Sequence, residues 1–284
     1  MYKTRHAWFF LTVPLILLSV FTFIPAIAAF ILSFTNYNVF QPIEFIGIQN
    51  YIDVLSDHSF RNALSNTVYF WILVTPALII FPIFLAILVN QKLKGISVFR
   101  LIYYFPVLVS IVVTAILWRW MFAESGIFNY VLSLVGIDPI RWLTSTKTVM
   151  PAMAIVTVWQ GLGYYMLFFL AALQGVPKEL YEAADIDGAN FVKKHVYITI
   201  PLIKPMIFFV AVISTMSAFK EFTLMLTMTS GGPLNASTTV VLLVFKEAFE
   251  RVNMGYASAI SFVLFVVILI ITIINKKFLD TDYK

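Results

Sequence analysis

The sequence contains no cysteine. That excludes disulfides, thiolate metal sites and a cysteine nucleophile. Histidine is almost as scarce. His6, His58 and His195 are the only three, far apart and without a ligand-spaced neighbour, so neither a catalytic constellation nor a metal site is assigned. Charged residues make up only 12% of the 284 positions, against roughly 25% in an ordinary soluble domain. No Gly-x-x-x-x-Gly-Lys loop occurs, so the chain cannot cradle nucleotide phosphates by that route. Low-complexity segments and internal repeats are also missing. The lack of a repeat argues against a transporter built from inverted halves.

What is present is apolar surface. Hydrophobic residues account for 61% of the chain, with 28 phenylalanines and 12 prolines. A soluble fold of this length cannot hide so much, so a lipid bilayer is the implied solvent. Kinked membrane helices tolerate such prolines better than a close-packed soluble core does.

A hydrocarbon core of about 30 Å needs roughly 20 apolar residues per helix. Six stretches qualify: Ala7–Phe34, Ala63–Val89, Leu101–Phe122, Val149–Leu173, Leu202–Met228 and Tyr256–Ile274. The fifth is interrupted by Lys220 and Glu221. The first follows Lys3 and Arg5 and contains Ala26-Ile27-Ala28, features shared with signal peptides. Its apolar run is far longer than the roughly 7–15 residues of a signal sequence, so a retained helix is expected.

Lysine and arginine placement orients the chain. With the N-terminus inside, the inner set is Lys3, Arg5, Lys92, Lys94, Arg100, Lys178, Lys193, Lys194, Lys204, Lys276, Lys277 and Lys284. It outnumbers the outer set of Arg61, Arg119, Arg141, Lys147, Lys220, Lys246 and Arg251. Both termini are therefore expected in the cytoplasm, and the net charge of +5 reads as topology rather than as a nucleic-acid footprint.

The inner loop Gln174–Pro201 is long, charged and patterned. Pro177 suits the start of a helix over Lys178–Ile186. Gly188 supplies a turn without a Cβ penalty, and a second helix is expected from about Asn190 to Thr199, stopped by Pro201. Ala183 and Ala184 would let another protein's backbone approach closely. A solvated loop that merely joins two spans fits the same residues. Beyond it, the outer segment Thr238–Arg251 reads as amphipathic, with Val241, Phe245, Ala248 and Phe249 on one side and Lys246, Glu247 and Glu250 opposite.

Polar residues inside spans are costly and are functional candidates by default. Thr157, Gln160, Gly161 and Tyr164 share one helix face by offsets of three and four, and Ser214, Ser217 and Glu221 share another. An amide, hydroxyls, a phenol and a carboxylate can hydrogen-bond a substrate, although the same residue types also glue membrane helices together. Lys220 is expected to snorkel outward, and Arg119 to reach headgroups or a partner.

Glu182-Ala183-Ala184, three residues, Gly188, nine residues, then Ile198-Thr199-Ile200-Pro201 resembles the signature loop of binding-protein-dependent ABC importer permeases. Isoleucine stands where that family has leucine. Leu173-Gln174-x-x-Pro177-x-Glu179-Leu180-Tyr181, Trp118-Arg119-Trp120-Met121-Phe122, Thr229-x-Gly231-Gly232-Pro233 and Gly255-Tyr256-Ala257-Ser258-Ala259 are similar to the carbohydrate-importing, maltose-type branch. Val192 and His195 depart from its usual Trp and Phe.

The resemblance implies an all-α membrane protein of six transmembrane helices. A five-helix core carries an extra N-terminal helix, with both termini cytoplasmic, in a bacterial cytoplasmic membrane. Residues 1–62 would form the N-terminal helix and first external loop. Residues 63–284 would form the permease core, with the coupling loop at 174–201.

In that loop Glu182, Ala183, Ala184, Asp187, Gly188, Ile198 and Pro201 would engage a cytoplasmic ATPase. Thr157, Gln160, Gly161, Tyr164, Ser217 and Glu221 match the positions of the family's sugar path. The implied partners are a second homologous permease in a heterodimer, two ATP-binding cassette ATPases that hold ATP and Mg, an extracytoplasmic solute-binding protein, and lipid. No cofactor is expected on this chain, and no nucleic acid. The implied cargo is a di- or oligosaccharide. Glycerol-phosphate and other polyols are alternatives, and a proton- or sodium-coupled secondary transporter is a further one.

Overall fold

A computed structural model describes residues 4–91 and 95–279. Lys3, Lys92, Lys94 and Lys284, counted in the inner basic set, lie outside the described residues. The described chain is helical, with only isolated bridges at Thr35–Phe45 and Asn38–Asn253. In chain order the helices are α1 (Phe10–Leu32), α2 (Gln49–Ser56), α3 (His58–Val89), α4 (Ile96–Leu108) and α5 (Ile111–Met121). Then come α6 (Ile127–Leu134), α7 (Val149–Gln174), α8 (Lys178–Ile186) and α9 (Phe191–Leu202). The last are α10 (Lys204–Phe219), α11 (Thr223–Thr229), α12 (Val240–Phe245) and α13 (Met254–Leu279).

Among the described residues, α1, α3, α7 and α13 are long and apolar enough to cross a membrane. The count reaches six only if two bent pairs are each one span: α4 with α5, bent by 98°, and α9 with α10, bent by 70°. The expected span Leu101–Phe122 is thus not one straight helix. Pro106 lies in the last turn of α4, and the chain extends at Val109 before α5 starts. The side-chain amide of Gln160 donates to the Val109 carbonyl at 3.1 Å, which satisfies a group the break would strand.

Nor does Pro201 stop the second loop helix. Helix continues through a wider π-type turn at His195–Thr199 to Leu202, and the break falls at Ile203, ahead of Pro205 in the first turn of α10. The expected span Leu202–Met228 is likewise divided, at Lys220–Phe222.

The chain forms two compact units: Met1–Arg61 with Leu243–Val266, and Asn62–Leu242 with Val267–Lys284. In the first unit, side chains hold the exit of α1 in place. The Asn50 amide donates to the carbonyls of Ser33 and Thr35 at 2.9 and 2.8 Å. Gly255 lets the start of α13 pass so close that a Cβ there would lie 2.2 Å from the Thr35 carbonyl oxygen.

Asp57 links α2 to α3. Its carboxylate accepts the Ser59 N–H at 2.8 Å and the Tyr256 hydroxyl at 2.9 Å. Burial alone would raise its pKa, but the hydrogen bonds from Ser59, Tyr256 and Phe60 outweigh it and hold the carboxyl below its ordinary value. The charged form is therefore the stabilising one. Its contribution is complete above the ordinary carboxylate pKa of about 4 and is lost as pH falls through the lowered value. Asp57→Ala is expected to cost about 1 kcal/mol, the worth of a helix cap, and to flatten the acid limb of a melting-temperature profile. An unchanged acid limb would count against this role.

The outer segment departs from its amphipathic reading. After α12 a π-type turn at Lys246–Glu250 closes with the Arg251 N–H on the Lys246 carbonyl. The extra residue in that turn shifts the faces by about 100°. Glu247 is buried and paired with Arg251, whereas Phe249, expected on the apolar side, is 67% exposed. Burial raises the Glu247 pKa, and the Arg251 charge opposes that rise.

In the second unit α4 and α10 pack along α7, and α11 packs on α5. Phe70, Met150, Met153, Met166, Phe169 and Met225 are fully buried. At Gly163 a Cβ would lie 2.1 Å from the Tyr103 carbonyl oxygen and 2.6 Å from Tyr104 Cα, so α4 and α7 meet backbone to backbone.

Candidate functional site

Two regions of the second unit carry the functional candidates. The first is the loop of α8 and α9. Pro177 stands at the position just before α8, and Gly188 turns the chain at φ +70°. The Gly188 and Ala189 N–H groups close on the carbonyls of Asp185 and Ala184 at 3.1 and 2.8 Å. This is the left-handed stop that favours glycine. The Asn190 side chain then caps α9 by accepting the Lys193 N–H at 2.9 Å.

A small polar cluster fixes α8 against α9. The buried Thr199 hydroxyl bonds the Tyr181 hydroxyl at 2.7 Å and His195 Nδ1 at 2.8 Å. The Phe191 and His195 rings meet edge to face at 4.3 Å, and Lys194 pairs with Asp185. His195 therefore faces inward, where the family resemblance expects an aromatic ring.

Glu182, Ala183, Asp187, Gly188 and Pro201 are exposed, while Ala184 and Ile198 are half-buried. Ile186, at 88% exposure, Val192 and Tyr197 also stand out in solvent. Ile186 and Tyr197 carry no role in the sequence reading, and Val192 enters it only as a departure from the family pattern. Large apolar side chains beside charged ones were the available signal.

The second region is a cavity of about 350 Å³. Thr157, Gln160, Gly161 and Tyr164 line it from α7, Ser217 from α10, and Glu221 from the step between α10 and α11. All six residues matched to the family's sugar path thus surround one space, whereas Ser214, which shares a helix face with Ser217 and Glu221, is buried and donates to the Val210 carbonyl at 2.7 Å. Val74, Leu78 and Val107 form apolar walls.

Glu221 has no ion-pair partner among the described residues, but it is hydrogen-bonded. Its Oε1 accepts the Leu224 N–H at 2.9 Å and so caps α11, and its carbonyl accepts the Thr239 hydroxyl at 3.0 Å. The divided span explains this, because a new helix start leaves N–H groups to be satisfied. Thr157 Oγ1 is buried without a hydrogen-bond partner, as are Thr75 Oγ1 and Thr114 Oγ1. Gly161 keeps the space open: a Cβ there would lie 2.8 Å from Leu78 Cδ2. Lys220 is exposed as expected. Arg119 lines a separate cavity with Arg141. A larger cavity of about 540 Å³, lined by residues such as Leu73, Phe81 and Trp159, offers no carboxylate, amide or hydroxyl side chain.

The profile of the family described as "binding-protein-dependent transport system inner membrane component" matches residues 46–280. The chain belongs to the binding-protein-dependent ABC transporter permeases of the carbohydrate-uptake family. This permease is therefore a multi-pass inner-membrane component, and the ATPase resides in separate subunits of such a transporter. It is 37% identical to the arabinooligosaccharides transport system permease protein AraP of Bacillus subtilis, over 97% of this chain and 89% of that protein. It is 33% identical to the trehalose/maltose transport system permease protein MalF of Thermococcus litoralis, over 97% and 94%. Among solved structures, a bacterial ABC transporter that imports the acidic polysaccharide alginate shares the fold, with a TM-score of 0.85 at 24% identity over 99% of this permease and 96% of that chain.

Proposed function

We propose that the permease passes a di- or oligosaccharide across the inner membrane through the Thr157–Glu221 cavity. The observation that carries this reading is the convergence of six polar or small residues, from α7, α10 and the step after α10, on one 350 Å³ space. Gln160 and Ser217 supply hydrogen bonds to sugar hydroxyls, with Thr157 beside them on the lining. Tyr164 supplies a flat face for sugar C–H groups, and Gly161 leaves room. Glu221 orients the opening of α11 at the edge of the cavity. Relatives whose names carry arabinooligosaccharides, trehalose/maltose and lactose support a saccharide over a polyol.

In this reading the bent pairs each count as one span, giving six spans with both termini cytoplasmic. Residues 1–62 form the added helix and its external loop, and residues 63–284 the five-helix core. Loop 174–201 seats in a groove of a cytoplasmic ATPase. Two such ATPases bind ATP and Mg, a second permease completes the path, and a solute-binding protein delivers cargo from outside. The exposed face of Glu182, Ala183, Asp187 and Ile186 meets the ATPase. The Tyr181–Thr199–His195 cluster makes the loop rigid enough to transmit a push.

The test is ATP-driven uptake of a panel of radiolabelled di- and oligosaccharides by the reconstituted transporter. Gln160→Ala and Gly161→Leu are each expected to cut uptake by at least about tenfold, or 1.4 kcal/mol, while the assembly still forms. Wild-type uptake and specificity in both variants would place the path elsewhere.

A further inference from the structure

The inner cavity ends at Glu221, where α11 begins. A second cavity, of about 410 Å³, opens at the far end of the same helix. The seven residues of α11 separate the two by about 10 Å. Arg119 comes to the second cavity from the last turn of α5, Glu124, Arg141 and Trp142 from the segment that follows, and Thr229 from the end of α11.

This wall is built rather than incidental. Asn129, 3% exposed, donates to the carbonyls of Ala123, Glu124 and Ile140, and its oxygen accepts the Ile140 N–H at 3.0 Å and the Trp142 indole N–H at 3.1 Å. One amide thereby fixes the indole and both ends of the segment that carries the charges. The Trp142 ring centroid lies 5.2 Å from that of Phe122, which lines the same cavity.

Arg119 and Arg141 are exposed. The ion pairs among the described residues are Lys194–Asp185 and Arg251–Glu247, so neither arginine is held by a carboxylate. Glu124 is the one carboxylate on the lining. Two guanidinium groups against one carboxylate leave room for one further negative charge. Guanidinium takes a carboxylate in two parallel hydrogen bonds, and aromatic rings accept the C–H face of a sugar ring.

We propose that this outer cavity is a second saccharide subsite, one that takes a carboxylate-bearing (uronate) sugar unit. Arg119 and Arg141 hold the carboxylate, and Trp142 packs against the ring. The proposal rests on the reading of the inner cavity as the sugar path, since an oligosaccharide delivered from outside passes here along α11 before it reaches that cavity. A ring-lined recess fits a sugar unit better than it fits the acidic side chain of a docked protein, which needs only the cations.

The test titrates the assembled transporter in nanodiscs with digalacturonate and with the neutral digalactoside, reading intrinsic tryptophan fluorescence. Trp142→Phe identifies the signal. A saturable change is expected with digalacturonate, at least about tenfold weaker with the neutral dimer. Arg119→Gln and Arg141→Gln are each expected to weaken it about tenfold, with rescue by higher saccharide concentration. Glu124→Gln should strengthen it. Gln160→Ala should leave it within about twofold while lowering uptake, which separates the outer subsite from the inner path.

Equal binding of the neutral dimer overturns the proposal. So does unchanged digalacturonate binding in both arginine variants. If those variants lose capture of the solute-binding protein but keep saccharide binding, the arginines serve the docked partner and the subsite is refuted.

Discussion

Gly163→Val is expected to abolish recovery of folded permease. A Cβ at this position would lie 2.1 Å from the Tyr103 carbonyl oxygen and 2.6 Å from Tyr104 Cα. Both obstacles are backbone, so no rotamer change relieves them. Overpacking a core usually costs about 1–3 kcal/mol even where neighbours yield. Here α4 would have to leave α7, and with it go Val107 on the cavity wall and the Gln160–Val109 hydrogen bond. Size-exclusion of detergent-solubilised membranes reads the outcome as loss of the monodisperse peak. Gly161→Ala is the contrast. Its Cβ meets the Leu78 Cδ2 end of a side chain that can turn away, so folding should survive it. A normal peak and melting temperature for Gly163→Val would show that α4 and α7 do not meet this closely.

Gly188→Val should uncouple ATP hydrolysis from uptake, and Glu182→Lys should do the same. The glycine sits at φ +70° with open space around it: a Cβ would meet nothing within 4 Å. The cost is thus in the backbone, about 1–2 kcal/mol for an L-residue in the left-handed region, and more for a β-branched one. It falls on the turn that sets α8 against α9. Gly188→Asn, a residue that tolerates this conformation, should retain most coupling, which separates backbone strain from loss of an exposed surface. At Glu182 the fold has nothing at stake, because the side chain is exposed. A reversed charge there acts only on what docks. Reconstituted vesicles report both quantities together, with ATPase activity kept and uptake lost. Uptake and hydrolysis that remain in step in both variants would remove the loop from the coupling path.

The candidate cavity was legible in the sequence because helix offsets are rigid. Residues three and four apart share a face wherever the helix goes, so Thr157, Gln160, Gly161 and Tyr164 converge. The loop was legible for a similar reason, since Pro177 and Gly188 fix where α8 starts and ends. The breaks were harder to read. Hydropathy is blind to a 98° bend, and Leu101–Phe122 scores as one apolar run while its chain turns at Val109. The π-type turn after α12 inserts a residue into the period, so a wheel drawn at 3.6 residues per turn placed Phe249 inside and Glu247 outside, the reverse of their positions. Asn129 was missed because its value lies in five hydrogen bonds to a loop that has no periodicity. Glu221 reads in the sequence as a costly carboxylate, and what the sequence does not show is how its cost is met. Its partner is the N–H of Leu224, which is exposed only because the span is divided there.

The absence of cysteine makes one further measurement clean. In Ser217→Cys the introduced thiol is the chain's only one, and Ser217 is exposed on the lining of the inner cavity. The assembled transporter, reconstituted with cysteine-free partners, is treated with a charged methanethiosulfonate reagent, with and without the oligosaccharides it takes up. If cargo passes through this cavity, modification blocks uptake, and saturating saccharide slows modification by about tenfold or more. Equal modification rates with and without saccharide, or uptake that survives complete modification, would contradict the assignment of this cavity as the sugar path.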